Sequence, residues 1–306
     1  MFDEDANFTL SAVDQSSVTT LNMIRGDGGT ITTGANVTTV GLTNLTVASV
    51  ANTTNDTIIA FGALSTEGTV NLDRVTHAAG NTDENVDING AALTTVNINA
   101  SGTKSTVDVL DVAGAAAINI DAAVNFTATG LTTSSAAGTL TITGAGAVSL
   151  GVLDNGITTV TASGNTGGVT LTAPANGPNT SITLSAGNDV FTTDDDGFTA
   201  AQTFAVNAGG GTGDILVVAA AADINTAGES ARYTNFETVR IGDTYDADQI
   251  AGITGIQITG ASTKSYTDLT ATQAANIQVR GDETSATFAL KTATGTADTL
   301  TLTMGT

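Results

Sequence analysis

The chain contains no cysteine, no tryptophan, two prolines and one histidine in 306 residues. Without cysteine it can form no disulfide, carry no thiol nucleophile and ligate no zinc through thiolates. Any Ser–His–Asp relay would have to use the lone His77, and no Gly-x-Ser-x-Gly elbow accompanies a serine. We read His77 as an exposed loop residue and the chain as not an enzyme. Carboxylate pairs aligned on successive turns of a repetitive fold would be the remaining catalytic arrangement. The aromatic platforms and basic residues that accompany such pairs on polysaccharide substrates are scarce here.

Positive charge is the next shortage. Eight basic residues stand against 30 acidic ones, for a net charge of −22, and they are scattered singly from Arg25 to Lys291. Nucleic-acid binding needs clustered Lys and Arg to replace condensed counterions, so it is excluded as a function class. Self-repulsion on this scale opposes compaction and side-by-side assembly, and bound divalent cations would relieve it. The longest apolar run, Leu216 to Ala222, is too short to span a bilayer. Met1-Phe2-Asp3-Glu4-Asp5 shows no basic segment followed by an apolar one, so no secretory signal peptide is read there.

Hydrophobic residues reach 41% of the chain but aromatics only 4%. The interior must therefore be packed from Val, Ile, Leu and Ala, side chains that suit a narrow solenoid better than a thick globule. The dominant period is two, in short bursts: Val96-Asn97-Ile98-Asn99, Val107 to Leu110, Ile118 to Asp121, Thr139 to Thr143, Thr158 to Thr161, Val169 to Thr172 and Ser181 to Leu184. Later bursts are Val239 to Ile241, Ile256 to Thr259, Ile277 to Val279 and Leu300 to Thr303. Each places aliphatic residues on one face and Thr, Asn or Asp on the other. The pattern predicts an all-β parallel β-helix, or β-solenoid, with short strands, Gly/Asn/Asp-rich turns and coils of about 20 residues. The stretches from Ala221 to Ala231 and from Leu269 to Ala275 are read as single-turn excursions. Texture divides the chain into a Thr/Asn/Val-rich solenoid over residues 1–185 and a continuing RTX-like segment over 186–306 that carries the Gly-Asn-Asp turn, the acidic triplet and most of the tyrosine.

In that second segment, Ser185-Ala186-Gly187-Asn188-Asp189-Val190-Phe191 is followed by Asp194-Asp195-Asp196 and then by Gly209-Gly210-Gly211-Thr212-Gly213-Asp214-Ile215-Leu216. Glycines and an aspartate just before an apolar residue are how a parallel β-helix builds a turn able to hold Ca²⁺. The ion takes six to eight oxygens, and glycine lets the backbone present its carbonyls. The candidate metal ligands are Asn188, Asp189, Asp194, Asp196, Asn207, Gly211, Gly213 and Asp214. Together with Tyr233 to Ile241 and Ala293 to Thr303, these residues resemble bacterial RTX-type, calcium-dependent surface-layer proteins, most clearly over 180–306. Around Gly187 only the second half of the RTX nonapeptide is present, and in the second turn the aspartate arrives one residue early. One or a few isolated Ca²⁺ sites are expected rather than a continuous calcium-packed roll.

The resemblance implies a lattice-domain segment of a secreted layer on the cell surface, assembling with copies of itself. Flanking regions of a longer polypeptide would supply any contact with surface polysaccharide. The competing expectation is an RTX-type adhesin stalk, an extracellular binding module without lateral self-contacts.

Overall fold

The computed structural model describes residues 8–9, 16–26, 28–47, 57–77, 85–135, 138–174, 180–193, 203–260, 262–282, 285–292 and 299–305. The chain is all-β, a β-solenoid of about 11 turns built from parallel sheets of short strands. It divides into two compact units, Met1–Thr170 and Leu171–Thr306.

In the first unit successive coils contribute strands to each of two parallel sheets. One sheet runs through Gly29–Thr32, Thr57–Ala60, Asn85–Asn89, Ser105–Val112, Phe126–Thr133 and Val148–Leu153; the other runs through Thr20–Ile24, Thr39–Thr43, Glu67–Asp73, Thr95–Ala100, Ala117–Ala122, Gly138–Gly144 and Ile157–Asn165. Because the side-chain period is two, a fixed register stacks like on like. Val40, Val70, Ile98, Ile120 and Ile142 form one interior column, each at most 1% exposed. On the opposite face of the same strands, Thr39, Thr69, Asn97, Asn119, Thr141 and Thr161 form an outward column. Its asparagines hydrogen-bond along the stack: Asn119 Nδ2 donates to Asn97 Oδ1 at 2.8 Å, and Asn97 Nδ2 to Glu67 Oε1 at 2.6 Å. A polar side chain is thus satisfied by its equivalent one coil away.

The corners repeat as well. Register places Arg25, Asn44, Arg74 and Gly102 just beyond equivalent strand positions, and their φ values are 61°, 57°, 55° and 67°. Each turns the chain through the left-handed region. At Gly102 a Cβ would also lie 2.5 Å from Asp73 Oδ1, which is engaged by the Thr103 N–H at 2.9 Å. Coil length is not fixed. Between register partners Thr20, Thr39, Thr69, Asn97, Asn119, Thr141 and Thr161 the step ranges from 19 to 30 residues. Several coils therefore exceed the expected length, the extra residues lying between strands.

In the second unit one sheet runs through Val190–Thr192, Ile215–Val218, Thr238–Ile241, Gly255–Ile258, Ile277–Val279 and Leu302–Met304. A second contains Ser181–Thr183, Ala205–Asn207 and Tyr233–Thr234, and a third Tyr245–Asp246, Lys264–Leu269 and Ala286–Leu290. The expected aliphatic interior holds in the column Leu216, Val239, Ile256 and Ile277. Aromatic rings join it elsewhere in the interior. Phe191, Phe204 and Tyr233 pack with ring centroids 6.0–6.4 Å apart, and Tyr266, fully buried, stacks on Phe288 at 5.4 Å. Ala221–Ile224, Ala227–Ser230 and Ala271–Ala274 are single helical turns, the latter two opened by capping boxes Thr226/Glu229 and Thr270/Gln273. Among the described residues no helix is long and apolar enough to cross a membrane.

A candidate acidic site at a repeated strand entry

In the second unit the register Val190↔Ile215↔Thr238 places the residues just before them, Asp189, Asp214 and Glu237, at the same point of three successive coils. The sequence puts an acid ahead of an apolar-alternating strand each time, and stacking turns that repetition into a carboxylate ladder.

Each rung is tied to the next through the main chain. The Asp189 N–H donates to Asp214 Oδ1 at 2.7 Å, and the Asp214 N–H donates to Glu237 Oε2 at 2.9 Å. Asp189 closes its own turn: the Ser185 N–H donates to Oδ2 at 2.9 Å and the Ser185 hydroxyl to Oδ1 at 2.6 Å. The Gly187 N–H in turn donates to Ser185 Oγ at 2.9 Å. Ser185, Asp189 and Asp214 are buried. These acids therefore cap strand-entry amides, an electrostatically favourable use for a carboxylate.

Asp214 is the strained member. Burial above all, then the neighbouring Asp189 and Glu237 carboxylates, push its carboxyl up to about 6 despite the opposing Asp189 N–H bond. Its Oδ2 is buried and has no hydrogen-bond partner. Two of the predicted glycines explain why the carboxylate fits. A Cβ at Gly211 would lie 2.5 Å from Asp214 Oδ1 and 2.3 Å from the Gly187 carbonyl oxygen, while one at Gly213 would press on the Asn188 side chain at 3.1 Å.

Of the residues singled out from sequence, the structure brings together Asn188, Asp189, Gly211, Gly213 and Asp214. Asn207 lies on a different sheet, where its Oδ1 accepts from the Gly209 N–H at 2.9 Å and from Asn235 Nδ2 at 2.8 Å. Asp194 and Asp196 fall outside the described residues. Among the described residues no group of three or more His, Cys, Asp or Glu is arranged to hold a metal ion. Asp214 Oδ2 has no hydrogen bond to give up to a cation, whereas Asp189 would first have to release its two bonds from Ser185. Glu237 was not anticipated. Its signal was present in Phe236-Glu237-Thr238-Val239, which repeats the acid-before-strand order without the flanking glycines.

His77 corrects the sequence reading. It is not an exposed loop residue but lies in the strand Thr76–His77, only 2% exposed. Its strand pairs in parallel with Thr46–Val47, and His77 stands opposite Val47.

Comparison of the chain with known protein families, with curated proteins and with solved structures finds no match.

Proposed function

We propose that this chain is a structural segment of a secreted bacterial surface layer, assembling with copies of itself and stabilised by Ca²⁺ at the strand entry of the second unit. The observation that supports this reading is the buried Asp214 Oδ2 in a ladder of three stacked acids, within a chain of net charge −22. A cation there would offset the mutual repulsion of Asp189, Asp214 and Glu237 without disturbing the main-chain bonds that link them. Asn188, exposed beside Gly213, is the nearest predicted side-chain oxygen that would complete such a site from the solvent side.

An ion that binds only the folded state adds RT ln(1 + [L]/Kd), about 2.7 kcal/mol at a hundredfold excess over Kd. Thermal unfolding in millimolar Ca²⁺ should therefore lie clearly above that in EGTA, and electron microscopy should show sheets with Ca²⁺ but not with NaCl alone. Monovalent salt screens distant charges without bridging carboxylates in contact. Identical unfolding curves in the two media would remove the calcium role. Stabilisation by Ca²⁺ without any sheets would favour the adhesin-stalk reading instead.

A further inference from the structure

Two of the eight basic residues, Arg240 and Arg280, stand on a sheet face that carries no acid. In the second unit the strands Val190–Thr192, Ile215–Val218, Thr238–Ile241, Gly255–Ile258, Ile277–Val279 and Leu302–Met304 hold not one Asp or Glu. The described strands of the first unit, by contrast, hold Glu67, Asp73, Asp87, Asp108, Asp111 and Asp121.

Register lines up Arg240, Gln257 and Gln278 in one outward column, each half-buried beside the buried Val239, Ile256 and Ile277. Arg280 follows Val279 and is exposed. Gly305 lies against both members of that rung, since a Cβ there would come 3.0 Å from Gln278 Nε2 and 3.3 Å from Arg280 Cγ. Arg240 Nε donates to Gln257 Oε1 at 2.7 Å, a neutral partner. Among the described residues neither arginine has a carboxylate at ion-pair distance, whereas Lys264 and Lys291 are tied to Asp243 and Asp248 at 2.9 and 2.6 Å. Glu237, ahead of the Arg240 strand, is occupied with the Asp214 N–H. The two guanidiniums act on one another: burial, and after it the charge of Arg280, hold the Arg240 group below its ordinary range. Two like charges without a counterion cost free energy. A carboxylate would relieve that cost and match the paired N–H groups a guanidinium presents.

We propose that this acid-free face docks the outer sheet face of a second copy's first unit, with Arg240 and Arg280 taking the carboxylates of Glu67 and Asp121. The proposal rests on the self-assembly proposed above and names one contact of it that needs no calcium. A second copy is the fitting occupant by charge complementarity, because the chain offers 30 acids and only eight basic residues. Glu67 and Asp121 are exposed on strands stacked in register, so their face repeats at the same rung spacing of about 4.8 Å as the arginine face. Each carboxylate is steadied through one oxygen: Glu67 Oε1 accepts from Asn97 Nδ2 at 2.6 Å and Asp121 Oδ1 from the Thr143 hydroxyl at 3.3 Å. The other oxygen is left for a guanidinium, and little side-chain freedom remains to be lost on docking. The two patches differ, so the contact is heterologous. The net charge of −22 sets the conditions under which it forms. At about 0.01 M salt the Debye length is about 30 Å and whole-molecule repulsion keeps copies apart; at about 0.15 M it is about 8 Å and contact pairs prevail; at about 1 M it is about 3 Å and the pairs weaken too.

Sedimentation velocity in EGTA at these three salt concentrations, from low to high micromolar protein, tests this. The wild type should associate most at the middle concentration and less at either extreme. The double variants Arg240→Gln/Arg280→Gln and Glu67→Gln/Asp121→Asn should each weaken association at least about tenfold. The decisive sample is an equimolar mixture of the two. The intact acids of one can meet the intact arginines of the other, so the mixture should form dimers where neither variant does alone. A wild type that stays monomeric throughout, double variants that associate as well as wild type, or a mixture of folded variants that associates no better than its parts would each overturn the proposal. Far-UV circular dichroism establishes folding; if the half-buried Arg240→Gln change disturbs it, the exposed Arg280→Gln change alone replaces the pair and should weaken association in the same direction. A soluble polyuronate that binds the wild type through Arg240 and Arg280 while the protein stays monomeric would assign the face to an acidic polysaccharide and overturn the second-copy contact. Failure in EGTA removes this contact alone, because the calcium-dependent stabilisation and sheets proposed above are measured separately in Ca²⁺.

Discussion

Replacing Asp214 by Asn should shift relative stability towards the variant as pH rises from acid to neutral, provided Ca²⁺ is chelated. An unfolded aspartate titrates near 3.8, whereas burial and its two acidic neighbours raise Asp214 to about 6 in the folded chain. Between those values the folded state holds more protons than the unfolded one. The stability this group contributes is therefore fully present below pH 3.8 and is lost as pH rises through about 6. The full span corresponds to roughly 3 kcal/mol, and solvent screening at a strand entry beside an exposed turn reduces it to about 1–2 kcal/mol. An Asn keeps an oxygen to accept the Asp189 N–H and removes the charge. Its amide hydrogens meet no acceptor at the Oδ2 position, a cost that is the same at every pH. The quantity to measure is thus the change of the Asn-minus-Asp stability difference with pH. Urea unfolding in EGTA, below about pH 4 and above about pH 7, should show that difference moving by about 1–2 kcal/mol in favour of the variant. Carbon-13 titration of the Asp214 carboxyl gives the same information directly. A difference independent of pH, or an Asp214 carboxyl that titrates near 4, would refute the reasoning. If the carboxylate also holds Ca²⁺, the variant should lose part of the calcium-induced rise in unfolding temperature.

Ser185→Ala removes the hydroxyl that donates to Asp189 Oδ1 and accepts from Gly187, and leaves a buried carboxylate short of a donor. It should cost about 2–3 kcal/mol in urea unfolding, and a loss under about 0.5 kcal/mol would mean that water replaces the hydroxyl. Gly151→Ala places a Cβ 1.9 Å from the Thr129 carbonyl oxygen at a residue with φ of 59°. The left-handed conformation alone costs about 1–2 kcal/mol, so the variant should lose at least about 2 kcal/mol, with amide exchange accelerating first in Val148–Leu153.

The strands were legible because aliphatic and Thr/Asn residues alternate strictly. Val96 to Asn99 and Ile118 to Asp121 lie within Thr95–Ala100 and Ala117–Ala122 and pair with each other in register. Solenoid stacking was legible because the turns are rich in Gly, Asn and Ala, aromatic core residues are few, and similar strands repeat without Greek-key punctuation. Local alternation says nothing about which residues meet one coil away, however. That is why Glu237 was missed: its partner Asp214 is 23 residues distant, and only the register reveals the ladder. It is also why Asn207 was grouped with Asp214, although a coil visits two sheets and nearness in sequence does not choose between them. His77 was misjudged because a lone polar ring in a Thr-rich stretch reads as exposed, while the column from Val47 through His77 fixes its place by strand pairing.

The variable step between rungs has a consequence for how such a chain can diversify. Thirty residues separate Thr39 from Thr69 and seventeen separate Thr238 from Gly255, yet both pairs meet in parallel register. Closing a longer loop costs only about 0.6 kcal/mol for each doubling of its length. The connections between rungs are therefore permissive places to graft a foreign epitope or an enzyme tag, while a single residue added inside a strand would turn every following side chain of that rung inside out. Variation can accumulate on the outside of this molecule almost without reference to its interior.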